Sequence, residues 1–221
     1  MVDQQGTWGD PTPAGLFAVG AGTTAVWALM TGRIGQQDLH IFIVWLAAAG
    51  LLQVITGLIN LKRGDSAGGS LNLAFGVLFF GAPAMTMTLL LWGGQPMAAM
   101  GIKEMPGLTI NGWVFIVLGV ILCAFIPIMA RQSWLSMVDL VIFAVAIFML
   151  ALLNLQPMEK QSVGNWHVVG QIAGWLIGLA GWVMVYLGIA MSLLYGLGRK
   201  VLPIPGPLGG GISAPGHSQE Q

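Results

Sequence analysis

Residues 107–155, GLTINGWVFIVLGVILCAFIPIMARQSWLSMVDLVIFAVAIFMLALLNL, hold two long apolar runs divided at the short polar ARQS, with Arg131 and Asp139 as their only charged side chains. A helix needs roughly 20 mostly apolar residues to cross about 30 Å of hydrocarbon, so each run is long enough for one passage. Backbone amides and carbonyls find no partner in lipid, which forces such runs to be helical. A β-barrel is excluded, because its strands are about 10 residues of alternating polarity and neither run alternates. Outward from this pair the same pattern recurs, and spans are predicted over 14–32, 39–61, 69–93, 107–130, 134–155 and 166–196. The fold class is an all-α integral membrane protein with six transmembrane helices per protomer. These spans use up the length that a second folded domain would need.

Of the 221 residues 56% are hydrophobic and 7% charged, where a soluble domain carries about a quarter charged. The formal net charge is zero, so there is no basic face for nucleic acid, and the lipid bilayer is the one partner that composition implies. Six spans bring both termini to one side. Lys62, Arg63, Arg131, Arg199 and Lys200 fall on that side, and Arg33, Lys103 and Lys160 on the other, five against three. The positive-inside rule then places both termini in the cytoplasm, in a multi-pass protein of the cell membrane. The N-terminus lacks a basic stretch followed by an apolar run and cleavage site, so no signal peptide is expected to be removed. The expected organisation is an N-terminal cytoplasmic segment over 1–13, a six-helix domain over 14–204 and a flexible Pro/Gly-rich cytoplasmic tail over 205–221.

Thirty-three glycines are a further clue. Many recur inside spans at small-residue spacing: Gly50 and Gly57, Gly76 and Gly81, and Gly170, Gly174, Gly178 and Gly181. They predict close helix packing, with GQIAG (170–174) a literal GxxxG. Polar residues inside spans are costly and tend to face a cavity or a partner. They are Thr23 and Thr24 in the first span, Gln53 in the second, Asn72 in the third, Asp139 and Asn154 in the fifth and Gln171 in the sixth. The threonines suit hydroxyl bonds to the carbonyl one turn back; Gln53 and Gln171 suit interhelical bonding or pore lining. Asp139, the one ionisable residue well inside a span, either reaches interfacial water or Arg131, or titrates with a proton during transport.

No cofactor or metal is expected. His40 and His167 lie at the water boundary without a second pair, which argues against a haem. Cys123 reads as a small core residue. No span carries a lysine for a Schiff base, and there is no HExxH, no Walker loop and no serine with an adjacent histidine, so an enzyme is not indicated. Phe75, Phe79, Phe80 and Phe143 fall where side chains can meet across a bundle, either as core or as a gate.

Three stretches resemble one family. Asp10, Pro11, Thr12, Pro13, Ala14, Gly15 and Leu16 are similar, at four of seven positions, to the Asn-Pro-Ala-Pro-Leu-Gly-Leu of the acetate uptake transporters, also called succinate/acetate permeases. Residues 50–76, GLLQVITGLINLKRGDSAGGSLNLAFG, resemble that family's order of Gly, Gln, Gly, a basic pair and a later aromatic-Gly. AGW at 173–175 and GRKVLPI at 198–204 resemble its closing pattern.

The resemblance implies a homo-hexamer with a pathway through each protomer, carrying acetate and related short carboxylates, with succinate in some members, by proton symport or as a channel. It implies an apolar constriction at Val19, Phe75 and Phe143, where the family has Phe, Tyr and Leu. The substrate pathway is expected to include Asp10, Thr23, Thr24, Gln53, Asn154 and Gln171. A channel for a neutral solute such as ammonia or urea, and a non-transporting membrane scaffold, are the alternatives.

Overall fold

The computed structural model of the protein describes residues 8–93, 107–161 and 163–207. Helix α1 spans Thr12–Met30. A 3-10 turn, Gln36–Asp38, leads into α2, Leu39–Lys62. Helix α3, Ser66–Ala74, passes through a π-helical stretch, Phe75–Gly81, into α4, Ala82–Trp92. Then follow α5 (Thr109–Gln132), α6 (Trp134–Asn154), the single turn α7 (Met158–Gln161) and α8 (Gly164–Leu197). Among the described residues six helical stretches are long and apolar enough to cross a membrane, Ser66–Trp92 counting as one. The expected spans meet them to within three residues at every end.

Local chemistry sets the boundaries. Asp65 caps α3 by accepting a bond from Gly68 N–H at 2.8 Å. Ser133, extended at φ −159°, is the single residue that breaks α5 from α6. Helix α8 ends on Gly198 at φ 64°, a left-handed conformation that costs glycine little. The third span is not a plain α-helix. Pro83 lies just beyond the π stretch and has no N–H to return to the preceding turn, so the hydrogen-bond register widens upstream of it.

Helix α1 lies along α8, α2 along α3 and the π stretch, α5 against α6, and α6 against α8. The contact of α2 with α3 and the π stretch is made by backbone. A β-carbon on Gly50 would sit 2.9 Å from the Gly76 carbonyl oxygen, and one on Gly57 would sit 2.9 Å from that of Gly69. The two pairs are seven residues apart on each side of this antiparallel contact, so they clamp it at two points about two helical turns apart. In α8 the residues that accept α1 include Gly174, Gly178, Gly181 and Gly188, against Met30, Trp27, Thr23 and Phe17. Gly170 of the literal GxxxG makes a looser contact with Leu153.

Leu46, Phe80, Leu118, Leu122, Ile147 and Ile177 belong to one buried cluster in the bundle. Cys123 does not join it. The thiol is exposed on the outer side of α5, where Leu122 turns inward instead. Lipid is as apolar as a protein core, so apolar character alone does not say which way a residue points.

Candidate functional site

Gln53, Thr56 and Asn60 recur at helical spacing on one face of α2 and are each at most 1% exposed. Against that face comes Gly15 of α1. A β-carbon there would meet Thr56 Cγ2 at 2.8 Å and Asn72 Oδ1 at 2.9 Å, and Gln53 Nε2 donates to the Gly15 carbonyl. Gly15 is therefore where α1, α2 and α3 converge. Below this point a cavity of about 440 Å³ opens at the end of the bundle that carries both termini. Its walls include Thr12 and Leu16 of α1, Gln53 and Asn60 of α2, Asn72 of α3 and Ser136 of α6.

The inner end is closed by apolar groups. Val19 and Phe75 line the cavity, and the Phe75 ring is edge-on to Phe143 at 5.0 Å between centroids. Phe79 packs edge-on against both, 6.0 Å from Phe75 and 5.1 Å from Phe143. All four side chains are buried. The three residues expected at the constriction thus fall in one place, with Phe143 standing behind Phe75 rather than on the cavity wall. Phe79 completes the closure.

At the opposite, outer end, Asp10 is held by four donors. Thr12 donates to Oδ1 through its amide at 3.0 Å and its hydroxyl at 2.7 Å, Arg63 Nη1 donates to the same oxygen at 2.9 Å, and Tyr195 Oη donates to Oδ2 at 2.7 Å. Partial burial alone would raise the Asp10 pKa. The bonds from Thr12, Tyr195 and Arg63 outweigh it and hold the carboxyl below its ordinary value of 3.8. Next to it, Lys62 Nζ lies 4.4 Å over the Trp8 ring. The C-terminal segment returns to the same end: Tyr186 Oη donates to Pro203 O at 2.7 Å, Trp134 N–H to Gly206 O at 3.1 Å, and Ile204 lines the cavity. The chain is thus still attached one residue past the expected start of the tail, and residues 208–221 lie outside the described ones.

Other pathway residues lie elsewhere. Thr23 Oγ1 donates to Val19 O at 2.7 Å and Thr24 Oγ1 to Gly20 O at 2.7 Å, so both hydroxyls are used within α1. Asn154 Nδ2 donates to Leu150 O at 2.9 Å. Asn154 ends α6 and Gln171 lies near the start of α8, both at the end of the bundle away from the cavity. Asp139 is 1% exposed, and neither of its oxygens has a hydrogen-bond partner among the described residues. It therefore does not make the contact with Arg131 or interfacial water that one reading expected. On α6 it follows the cavity-lining Ser136 by three residues and precedes Phe143 by four, on the same face. His40 is stacked on Trp92, centroids 5.1 Å apart.

Asn60, Arg63 and Tyr195 were not expected at the site. Asn60 carried a signal, since it lies seven residues after Gln53 and so on the same face. For Tyr195 and Arg63 the partner is 185 and 53 residues away, and no local pattern announces it.

No protein-family model and no curated protein matches the sequence. The fold has a counterpart in the solved structure of the bacterial acetate channel SatP, with a TM-score of 0.72 at 20% sequence identity over 90% of this chain and 99% of that one. The likeness is one of fold and runs nearly the full length of both.

Proposed function

We propose that the chain is a membrane transporter or channel for acetate and related short carboxylates, belonging to the acetate uptake transporters that its motifs resemble. The observation that carries this reading is a cavity with amide and hydroxyl groups on its walls, ending at a wholly apolar closure of Val19, Phe75, Phe79 and Phe143. The fold shared with an acetate channel supports it. A charged carboxylate entering the closure loses its water where nothing replaces it, which costs several kcal/mol. Passage as the neutral acid, or together with a proton, removes most of that cost.

Proton coupling is part of the proposal, with Asp139 as the proton carrier. A carboxyl buried in a span without a partner is costly and points to a task beyond packing. Its position between Ser136 and Phe143 sets it beside both cavity and closure. Cytoplasmic termini, a homo-hexamer in the cell membrane and succinate as a further cargo complete the reading; these rest on loop charges and on the motif resemblance. Purified protein in liposomes tests the coupling. Collapsing an imposed pH gradient with the electrical potential clamped is expected to slow labelled acetate uptake, and uptake that ignores the gradient removes proton coupling from the account.

One observation favours a second reading. Among the described residues the closure offers neither a cation nor a hydroxyl to a passing anion, which also suits a small neutral solute such as ammonia or urea.

A further inference from the structure

The Asp10 carboxylate is held more fully than a helix start requires. A capping acid needs one or two amides of its own first turn. Asp10 instead receives bonds on both oxygens, from the start of α1, the end of α2 and the end of α8. Convergent N–H and O–H donors, one of them a guanidinium, are what a free carboxylate anion asks of a binding site. Thr12 and Tyr195 also line the cavity, so this cluster forms its rim. The segment bearing Asp10 is tied down a second time by Lys62 over Trp8, which turns both basic residues at the end of α2 toward it.

We infer that Arg63, Tyr195 and Thr12 form a carboxylate-binding site at the mouth of the cavity, occupied in this conformation by the chain's own Asp10, and that the cargo's carboxylate enters by replacing it. The identity of the cargo rests on the transport reading above; the site itself rests on the four bonds. The Arg63 and Asp10 side chains are 34% and 23% exposed, and an ion pair reached by water is weak enough to exchange. Because Asp10 is part of the same chain, its effective concentration at the site is high, and it raises the concentration of free anion needed to fill it. An amide at that position leaves the Arg63 charge unmatched and the site open to a free anion.

The test uses the full chain. Asp10→Ala empties the site. With sodium acetate titrated against sodium chloride at constant ionic strength, acetate is expected to raise the Tm of this variant saturably and that of wild type only at about two- to fivefold higher acetate, while Asp10→Ala/Arg63→Gln shows no acetate-specific rise. In liposomes Asp10→Asn, which keeps the side-chain shape, is expected to lower the apparent KM for labelled acetate about two- to fivefold, the range that follows from a partly exposed ion pair. A folded Asp10→Ala with no acetate dependence overturns the inference, as does an unchanged KM in Asp10→Asn; should Asp10→Ala fail to fold, the KM decides. Acetate stabilisation of Asp10→Ala without acetate flux through wild type keeps the mouth site and discards the transport reading. Flux with neither effect discards the mouth site alone.

Discussion

The Phe75 ring meets Phe143 edge-on, centroids 5.0 Å and planes 75° apart, so that a side chain lining the cavity is backed by one that does not reach its wall. The two act together: Phe75 presents an apolar surface to whatever enters, and Phe143 keeps that surface from turning aside.

Truncating either ring should open the closure. Phe75→Ala or Phe143→Ala is expected to raise the flux of propionate and butyrate relative to acetate, each 1.4 kcal/mol removed from the barrier giving about tenfold. Counterflow with a series of acids measures this. Unchanged flux and selectivity in both variants would return the rings to ordinary packing.

The glycine clamp between α2 and the third span predicts a loss of stability. Gly50→Ala and Gly76→Ala each drive a β-carbon against backbone, and overpacking of this kind costs about 1–3 kcal/mol. Gly196→Ala, with nothing within 4 Å of the new carbon, is the control and should unfold like wild type. Thermal unfolding in detergent is the measurement, and equal Tm values for Gly50→Ala and Gly196→Ala would contradict the clamp.

Much of this architecture can be read from the chain. Six apolar runs of sufficient length mark the spans, and Gly50, Gly57 and Gly76 mark the places where helices touch. Direction is harder to read: Cys123 looked like core and faces outward, because an apolar helix in lipid carries no polar stripe to show its outer side. The π stretch is a local consequence of Pro83 within a long apolar run, and run length alone does not reveal it. Val19, Phe75 and Phe143 could be singled out only through resemblance, since phenylalanines at helical spacing look alike wherever they pack. Asp10 stands out only through the motif resemblance, and its bonds to Arg63 and Tyr195 join parts of the chain that only the fold brings together.

Asp10 also gives a pH dependence with a definite sign. Its pKa is depressed in the folded protein, so its stabilising contribution is fully present above the ordinary carboxylate value of 3.8 and is lost as the pH falls through the lower, folded value. The difference in Tm between wild type and Asp10→Asn should be constant from neutral pH down to about 5 and shrink only in stronger acid. A difference that grows on acidification carries the wrong sign and rules out the depressed pKa.

For Asp139, the absence of any hydrogen-bond partner among the described residues separates stability from transport. Asp139→Asn replaces a carboxyl by an amide of the same shape and breaks no hydrogen bond among the described residues, so it should not lower the Tm. Acetate uptake measured from pH 5 to pH 8 should lose its dependence on pH. A preserved pH profile with normal flux assigns the proton to another group.

The central claim is that a carboxylic acid passes the Val19, Phe75, Phe79 and Phe143 closure. Initial rates of labelled acetate and labelled methylammonium uptake into liposomes, with the purified chain as the only protein, test it most directly. Acetate uptake is expected well above that of empty liposomes, reduced by unlabelled propionate and abolished when the closure is filled by Val19→Trp, with methylammonium at background. Methylammonium uptake with acetate at background, or no uptake of either, would contradict it.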